Sequence, residues 1–176
     1  DQRKQLSELD CIKLDDLLLI QFQQMDFSHT HFVGSYFPME SQSEPNSLLL
    51  TKYLKFLIPS LELAYPVINA IDCSMEFYKE TEVTQENTWG IQEPLPMNKV
   101  EPFMMDTFLV PLLGFDNRGH RVGYGKGFYD RYFEKTMPDC KRIGVAYFEP
   151  LSTLIDTHQF DVPLTHCITP NRIYEF

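Results

Sequence analysis

Apolar positions along the chain fall into short blocks separated by polar turns. Ser7-Glu-Leu-Asp10 has the chemistry of a helix start, because a serine hydroxyl can accept from N–H groups that a first turn leaves open. Leu9, Ile12, Leu17, Leu18 and Phe22 follow at spacings compatible with a helix. HFVGSYF (31–37) reads as a strand. Pro45-Asn46 introduces SLLLTKYLKFL, an apolar-rich helix with Asn46 as its N-cap. ELAYPVI (62–68) and SMEFYK (74–79) are strand-like. Residues 84–102, rich in Pro, Asn and Glu, read as a long loop. TFLVPLLGF (107–115) is a buried strand, and FYDRYFEKTM (128–137) is a helix ended by Pro138. RIGVAYF (142–148) is another buried strand, with HCIT (166–169) and RIYEF (172–176) as short final ones.

Strands that alternate with helical segments predict an α/β fold: three layers, α/β/α, with a mostly parallel central sheet covered on both faces. No repeat, low-complexity tract or linker interrupts the pattern, so residues 1–176 are expected to form a single domain with a sizeable core. Ligands in such sheets gather beyond the carboxyl ends of the strands.

Charge and cysteine usage narrow the classes. The net charge of −10 argues against nucleic acid as a partner. No apolar run approaches the roughly 18 residues of a membrane span, and no secretory signal is visible from Asp1 onward. Cys11, Cys73, Cys140 and Cys167 are scattered and form no CxxC pair, which fits a reducing cytoplasm rather than a zinc site or disulfide framework. His29 and His31 form an HxH pair without an evident third ligand, which is a weak metal signal.

One stretch breaks the acidic pattern. Residues 114–131 carry Arg118, Arg121, Lys126 and Arg131 against Asp116 and Asp130, a net +2. Four of the chain's eight glycines, Gly119, Gly123, Gly125 and Gly127, lie within residues 119–131. The spacing fits neither a Walker A loop nor a dinucleotide fingerprint. The physics of a phosphate cradle survives: bare N–H groups, a helix start near Gly127, a point charge at Lys126 and a planar fork at Arg121. Asp130, in the first turn of that helix, matches the helix dipole. It is also placed to be a magnesium ligand, since magnesium prefers oxygen ligands and bridges phosphates.

VPLLGFDNRGHRVGYGKGFYDRYF (110–133) resembles the signature of the 5-formyltetrahydrofolate cyclo-ligase family, also called methenyltetrahydrofolate synthetases. YFPMESQSE (36–44), WGIQEP (89–94) and HQFDVPLTHCITP (158–170) extend the resemblance over most of the chain. The resemblance implies an ATP- and Mg2+-dependent conversion of 5-formyltetrahydrofolate to 5,10-methenyltetrahydrofolate. The formyl oxygen attacks the γ-phosphate, N10 then attacks the phosphorylated imidate, and phosphate leaves as the ring closes. It also implies a cytoplasmic enzyme, expected to be a monomer, acting on small molecules, ATP and a reduced folate.

Carried over by position, the family's ATP loop falls on Arg121, Val122, Gly123, Tyr124, Gly125, Lys126, Gly127, Phe128 and Tyr129, with Arg121, Lys126 and Tyr129 as catalytic candidates. Its magnesium carboxylates fall on Asp130 and Asp161. Its folate pocket falls on Phe37, Gln42 and Trp89, with Tyr124 and Phe128 nearby. Three departures stand out. Gln42 occupies the position where a pterin-contacting Glu is expected, with Glu44 two residues on as a substitute on the same face. Thr165 stands where Asp is common. The basic residues that reach the ATP phosphates are expected upstream of Asp1, although Arg3 and Lys4 are near. Gln42 keeps open a same-fold enzyme with a different substrate. A nucleotide- or folate-binding protein without turnover is the other alternative.

Overall fold

A computed structural model describes residues 2–69 and 71–176. After a 3-10 turn at Gln2–Gln5, Ser7 opens helix α1 (Glu8–Phe22) through a reciprocal cap. The Ser7 hydroxyl accepts from the Asp10 N–H at 3.2 Å, and the Asp10 carboxylate accepts from the Ser7 N–H at 3.3 Å. Asn46 caps α2 (Ser47–Leu57) by accepting from the Leu49 N–H at 3.3 Å. The third helix, α3 (Phe128–Phe133), starts from Gly127.

Twelve strands complete the described residues: β1 (Phe32–Gly34), β2 (Glu62–Asn69), β3 (Ser74–Lys79), β4 (Thr84–Glu86), β5 (Gln92–Pro94), β6 (Lys99–Val100), β7 (Thr107–Pro111), β8 (Gly114–Phe115), β9 (Arg121–Val122), β10 (Lys141–Val145), β11 (His166–Ile168) and β12 (Ile173–Glu175). Eight form the central sheet in the order β12-β11-β10-β7-β1-β2-β3-β6. The middle is parallel: β11, β10, β7, β1 and β2 run together. Antiparallel strands β12, β3 and β6 close its two margins. The expected α/β architecture with a mostly parallel sheet is therefore present.

Alternation along the strands builds two cores. Phe108 and Val110 of β7 face one side, with Phe77 of β3 and Tyr132 and Phe133 of α3. Leu109 faces the other, with Leu63 and Tyr65 of β2, Ile143 and Val145 of β10, and Leu18, Phe22, Leu50 and Leu54 of α1 and α2. Helices α1 and α2 thus cover one face and α3 the other.

Several expected boundaries shift. The strand expected over 31–37 pairs only from Phe32 to Gly34 before running on as irregular backbone. The segment 107–115 divides after Pro111: Leu112 stays buried while the chain turns into the β8–β9 hairpin. The helix expected over 128–137 ends at Phe133, where Lys135 and Thr136 donate three residues back and tighten the chain into a turn. The stretch 84–102 contains the β4–β5 hairpin and β6. β4 is exposed at every residue, so no alternation marked it.

Candidate functional site

The parallel strands all end on one edge, and the candidate residues come from the loops there. The loop after β1 brings Glu44, the turn after β2 brings Cys73, and β7 leads into the β8–β9 hairpin and the glycine loop.

Asp116 fixes the hairpin. Its side chain is fully buried, and its carboxylate accepts from the N–H groups of Arg118 (2.9 Å), His120 (3.1 Å) and Ile155 (3.0 Å). The Arg118 guanidinium donates to it as well, at 3.0 Å. Burial alone raises a carboxyl's pKa; here the N–H groups and Arg118 outweigh it and hold Asp116 below its ordinary value. Gly119 is needed in the same turn. Its φ is +80°, and a Cβ there would lie 2.9 Å from the Leu164 carbonyl oxygen.

Beyond the hairpin the loop opens. Around Gly123 and Gly125 an added Cβ would meet no heavy atom within 4 Å, so their backbone is accessible. Among the four cations near the loop, Arg118 is held by Asp116 and Arg131 donates to the carbonyls of Cys73 and Lys126. The Arg121 side chain is 7% exposed and donates to Asp130 Oδ1 at 2.6 Å and to the Val162 carbonyl at 2.5 Å. Its fork is committed to protein rather than presented to the loop. Lys126 is exposed, and its ammonium makes no hydrogen bond or ion pair among the described residues.

Tyr124 joins the loop to the buried side of the site. Its hydroxyl donates to Glu44 Oε1 at 2.5 Å and accepts from Arg3 Nη2 at 3.1 Å. Arg3 is buried and also donates to the Leu112 carbonyl at 3.3 Å. Glu44 Oε2 accepts from the Met39 N–H at 2.8 Å. Burial raises the Glu44 carboxyl above its ordinary value, against the opposing effect of Tyr124, the Met39 N–H and Arg3. Tyr129, in the first turn of α3, has a buried hydroxyl with no hydrogen-bond partner among the described residues. Burial, and after it the nearby Glu44 charge, pushes this phenol far up, so it remains a proton donor.

Asp130 and Asp161 line one cavity of about 440 Å³ together with Gly127, Arg131, Glu134, His158 and Phe160. Asp130 Oδ1 accepts from Arg121 and from the Val162 N–H (3.2 Å), and Asp161 Oδ2 accepts from the His158 N–H (2.8 Å). Each carboxylate keeps its second oxygen. No cluster of three or more His, Cys, Asp or Glu ligands exists among the described residues. A two-carboxylate set still suits magnesium, which keeps several waters and takes its remaining ligands from substrate phosphates.

The aromatic candidates separate. Trp89, at the tip of the β4–β5 hairpin, lies 6.4 Å from Phe128. It lines a second cavity of about 510 Å³ with Asn69, Ile71 and the buried Glu93. Phe37 instead stacks on Tyr65 at 4.2 Å and packs with the core under α1 and α2. Gln42, in a 3-10 turn, is partly exposed, and its side chain makes no hydrogen bond among the described residues. The carboxylate beneath the loop is Glu44. The sequence offers Glu44 only as a substitute and Arg3 only as a basic residue near the start; no periodicity distinguishes one buried arginine in a 3-10 turn.

The family model for the 5-formyltetrahydrofolate cyclo-ligase family matches residues 13–170, covering the hairpin, the glycine loop, Asp130 and Asp161. The chain belongs to this family. A cyclo-ligase of Mycoplasma genitalium is 32% identical over 122 residues, 62% of this chain and 73% of that one. The Escherichia coli K12 cyclo-ligase is 31% identical over 109 residues, 58% of this chain and 57% of that one. The Aquifex aeolicus 5,10-methenyltetrahydrofolate synthetase structure superposes with a TM-score of 0.80 at 26% identity, covering 99% of this chain and 87% of that one. The Mycoplasma pneumoniae synthetase superposes with a TM-score of 0.73 at the same identity, covering 95% and 91%. This cyclo-ligase chain is thereby placed among ATP-dependent ligases of folate metabolism, and among its described residues no helix is long and apolar enough to cross a membrane.

Proposed function

We propose that the protein closes 5-formyltetrahydrofolate to 5,10-methenyltetrahydrofolate, with ATP converted to ADP and phosphate. The observation that carries this is a glycine loop with open backbone standing directly over a buried carboxylate, joined to it by one tyrosine hydroxyl. The reaction needs a phosphate site and a site for a flat, donor-rich heterocycle side by side.

In this proposal the backbone of residues 121–129 holds the triphosphate, and Lys126 supplies the mobile positive charge. Tyr129 offers its partnerless hydroxyl to a ligand oxygen. Arg121 acts by orienting Asp130, which together with Asp161 would hold Mg2+; the ion, when bound, neutralises charge on the phosphates. Glu44, rather than Gln42, reads the donor edge of the pterin, and Trp89, Phe128 and Tyr124 supply flat apolar contact. Phe37, stacked on Tyr65 in the core under α1 and α2, is left out of this pocket. The protein's own contribution is chiefly positioning and fixed charge.

The protein is further proposed to work as one domain, as a monomer, in the cytoplasm. Four cysteines free of disulfides suit that compartment. Sedimentation equilibrium checks the monomer. Turnover is tested by mixing purified protein, Mg-ATP and 5-formyltetrahydrofolate: methenyl absorbance and ADP should rise together. Tight binding of both ligands without either product would favour the non-catalytic reading.

A further inference from the structure

Arg131 is the one cation of the loop region whose hydrogen bonds all go to backbone carbonyls of two different segments. Its Nη2 donates to the Lys126 carbonyl at 2.6 Å and to the Cys73 carbonyl at 2.6 Å, and Nε adds a second bond to Cys73 at 3.2 Å. Lys126 lies in the glycine loop. Cys73 lies in the turn between β2 and β3, with φ +54°, a conformation uncommon for a residue with a side chain. That turn also carries Ile71, and with Asn69 at the end of β2 it walls the cavity beside Trp89.

The guanidinium also lies over Phe128, 5.9 Å from the ring centroid, and Phe128 in turn faces Trp89. Gly127 leaves room for this arrangement: a Cβ there would sit 2.9 Å from Arg131 Nη1. One side chain thus touches the phosphate loop, the β2–β3 turn and the aromatic wall. It lines the Asp130–Asp161 cavity and contacts elements that bound the Trp89 cavity.

We propose that Arg131 is a positioning residue that ties the glycine loop to the β2–β3 turn, so that ordering of the loop by ATP is transmitted to the Trp89–Phe128 wall. The planar fork is what the job requires. It reaches two carbonyls at once while stacking on a ring, which a lysine ammonium does not reproduce. The proposal rests on the loop being the ATP site, as proposed above.

The test is a coupling measurement. Trp89 is the sole tryptophan, so its fluorescence reports on that wall without labelling. Affinity for 5-formyltetrahydrofolate is titrated with and without a saturating non-hydrolysable ATP analogue, in wild type, Arg131→Lys and Arg131→Ala. Binding of the analogue is measured separately by calorimetry. The expected coupling in wild type is about fivefold or more, with a change in Trp89 emission on analogue binding alone. In both variants the ratio should fall toward 1 and the emission change should vanish while calorimetry still detects the analogue. A uniform structural weakening would lower both affinities and leave their ratio unchanged, and that result overturns the proposal. So does Arg131→Lys behaving as wild type, or analogue binding to wild type without any emission change. If the analogue does not bind wild type at all, it is the ATP-site assignment that has failed, and the proposal falls with it.

Discussion

The hydroxyl of Tyr124 donates to the carboxylate of Glu44 across 2.5 Å, joining the glycine loop to a buried acid 80 residues away in sequence. Without ligand, Tyr124 occupies one of the two oxygens with which Glu44 would read a pterin. Glu44→Gln keeps the shape but removes the charge and should raise the folate KM by about 10- to 100-fold, the cost of one or two charge-assisted hydrogen bonds. Tyr124→Phe should change it by less than about tenfold. Steady-state kinetics at saturating ATP decides, and an unchanged KM in Glu44→Gln removes this residue from the pocket.

The same carboxyl sets a pH dependence of stability. Burial raises it above its ordinary value of 4.5, so the folded chain holds this proton more tightly than the unfolded one. That contribution is fully present below 4.5 and is lost as pH rises through the raised native value. Glu44→Gln has no such ionisation. Its melting temperature relative to wild type should therefore increase between about pH 4 and pH 7. A difference that stays constant over that range contradicts the assignment.

Asp116 carries the opposite sign. Its carboxyl is held below its ordinary value of 3.8, so its stabilisation is present above 3.8 and is lost as pH falls through the lower native value. Asp116→Asn should lower stability by about 1–3 kcal/mol near neutrality, because buried donors lose a charged acceptor. Thermal melts should show the deficit shrinking in strong acid. A loss confined to ATP binding, with no change in melting, would mean that Asp116 does not brace the hairpin.

Lys126 is an exposed cation of the loop whose ammonium has no partner among the described residues, and Lys126→Ala should raise the ATP KM by about tenfold, more at low salt than at high. The folate KM should move far less. Equal effects on both substrates would place Lys126 outside the phosphate site.

Asp130→Asn should raise the magnesium concentration for half-maximal turnover by about tenfold or more. Asp161→Asn should act in the same direction, and the double variant should not be additive if both face one ion. Magnesium titrations at fixed ATP check this; an unchanged requirement in both single variants argues against the pair.

Most of the elements and the glycine loop are legible in the sequence. Ser7 and Asn46 announce helix starts because their side chains can satisfy N–H groups a first turn leaves open, and both caps form. The alternation of Phe108, Leu109 and Val110 suits a strand covered on both faces, and the two cores divide along it. The glycine and cation pattern at 119–131 depends only on local backbone freedom and charge, so it was legible in one dimension. Which polar groups are left for a ligand is settled by the folded arrangement instead. It commits Arg121 to Asp130, buries Arg3 against Tyr124, and places Glu44 instead of Gln42 beneath the loop. Those outcomes depend on partners that the parallel sheet brings to one edge from distant parts of the chain. A residue's desolvation and pairing are properties of that assembled environment, and no local spacing encodes them.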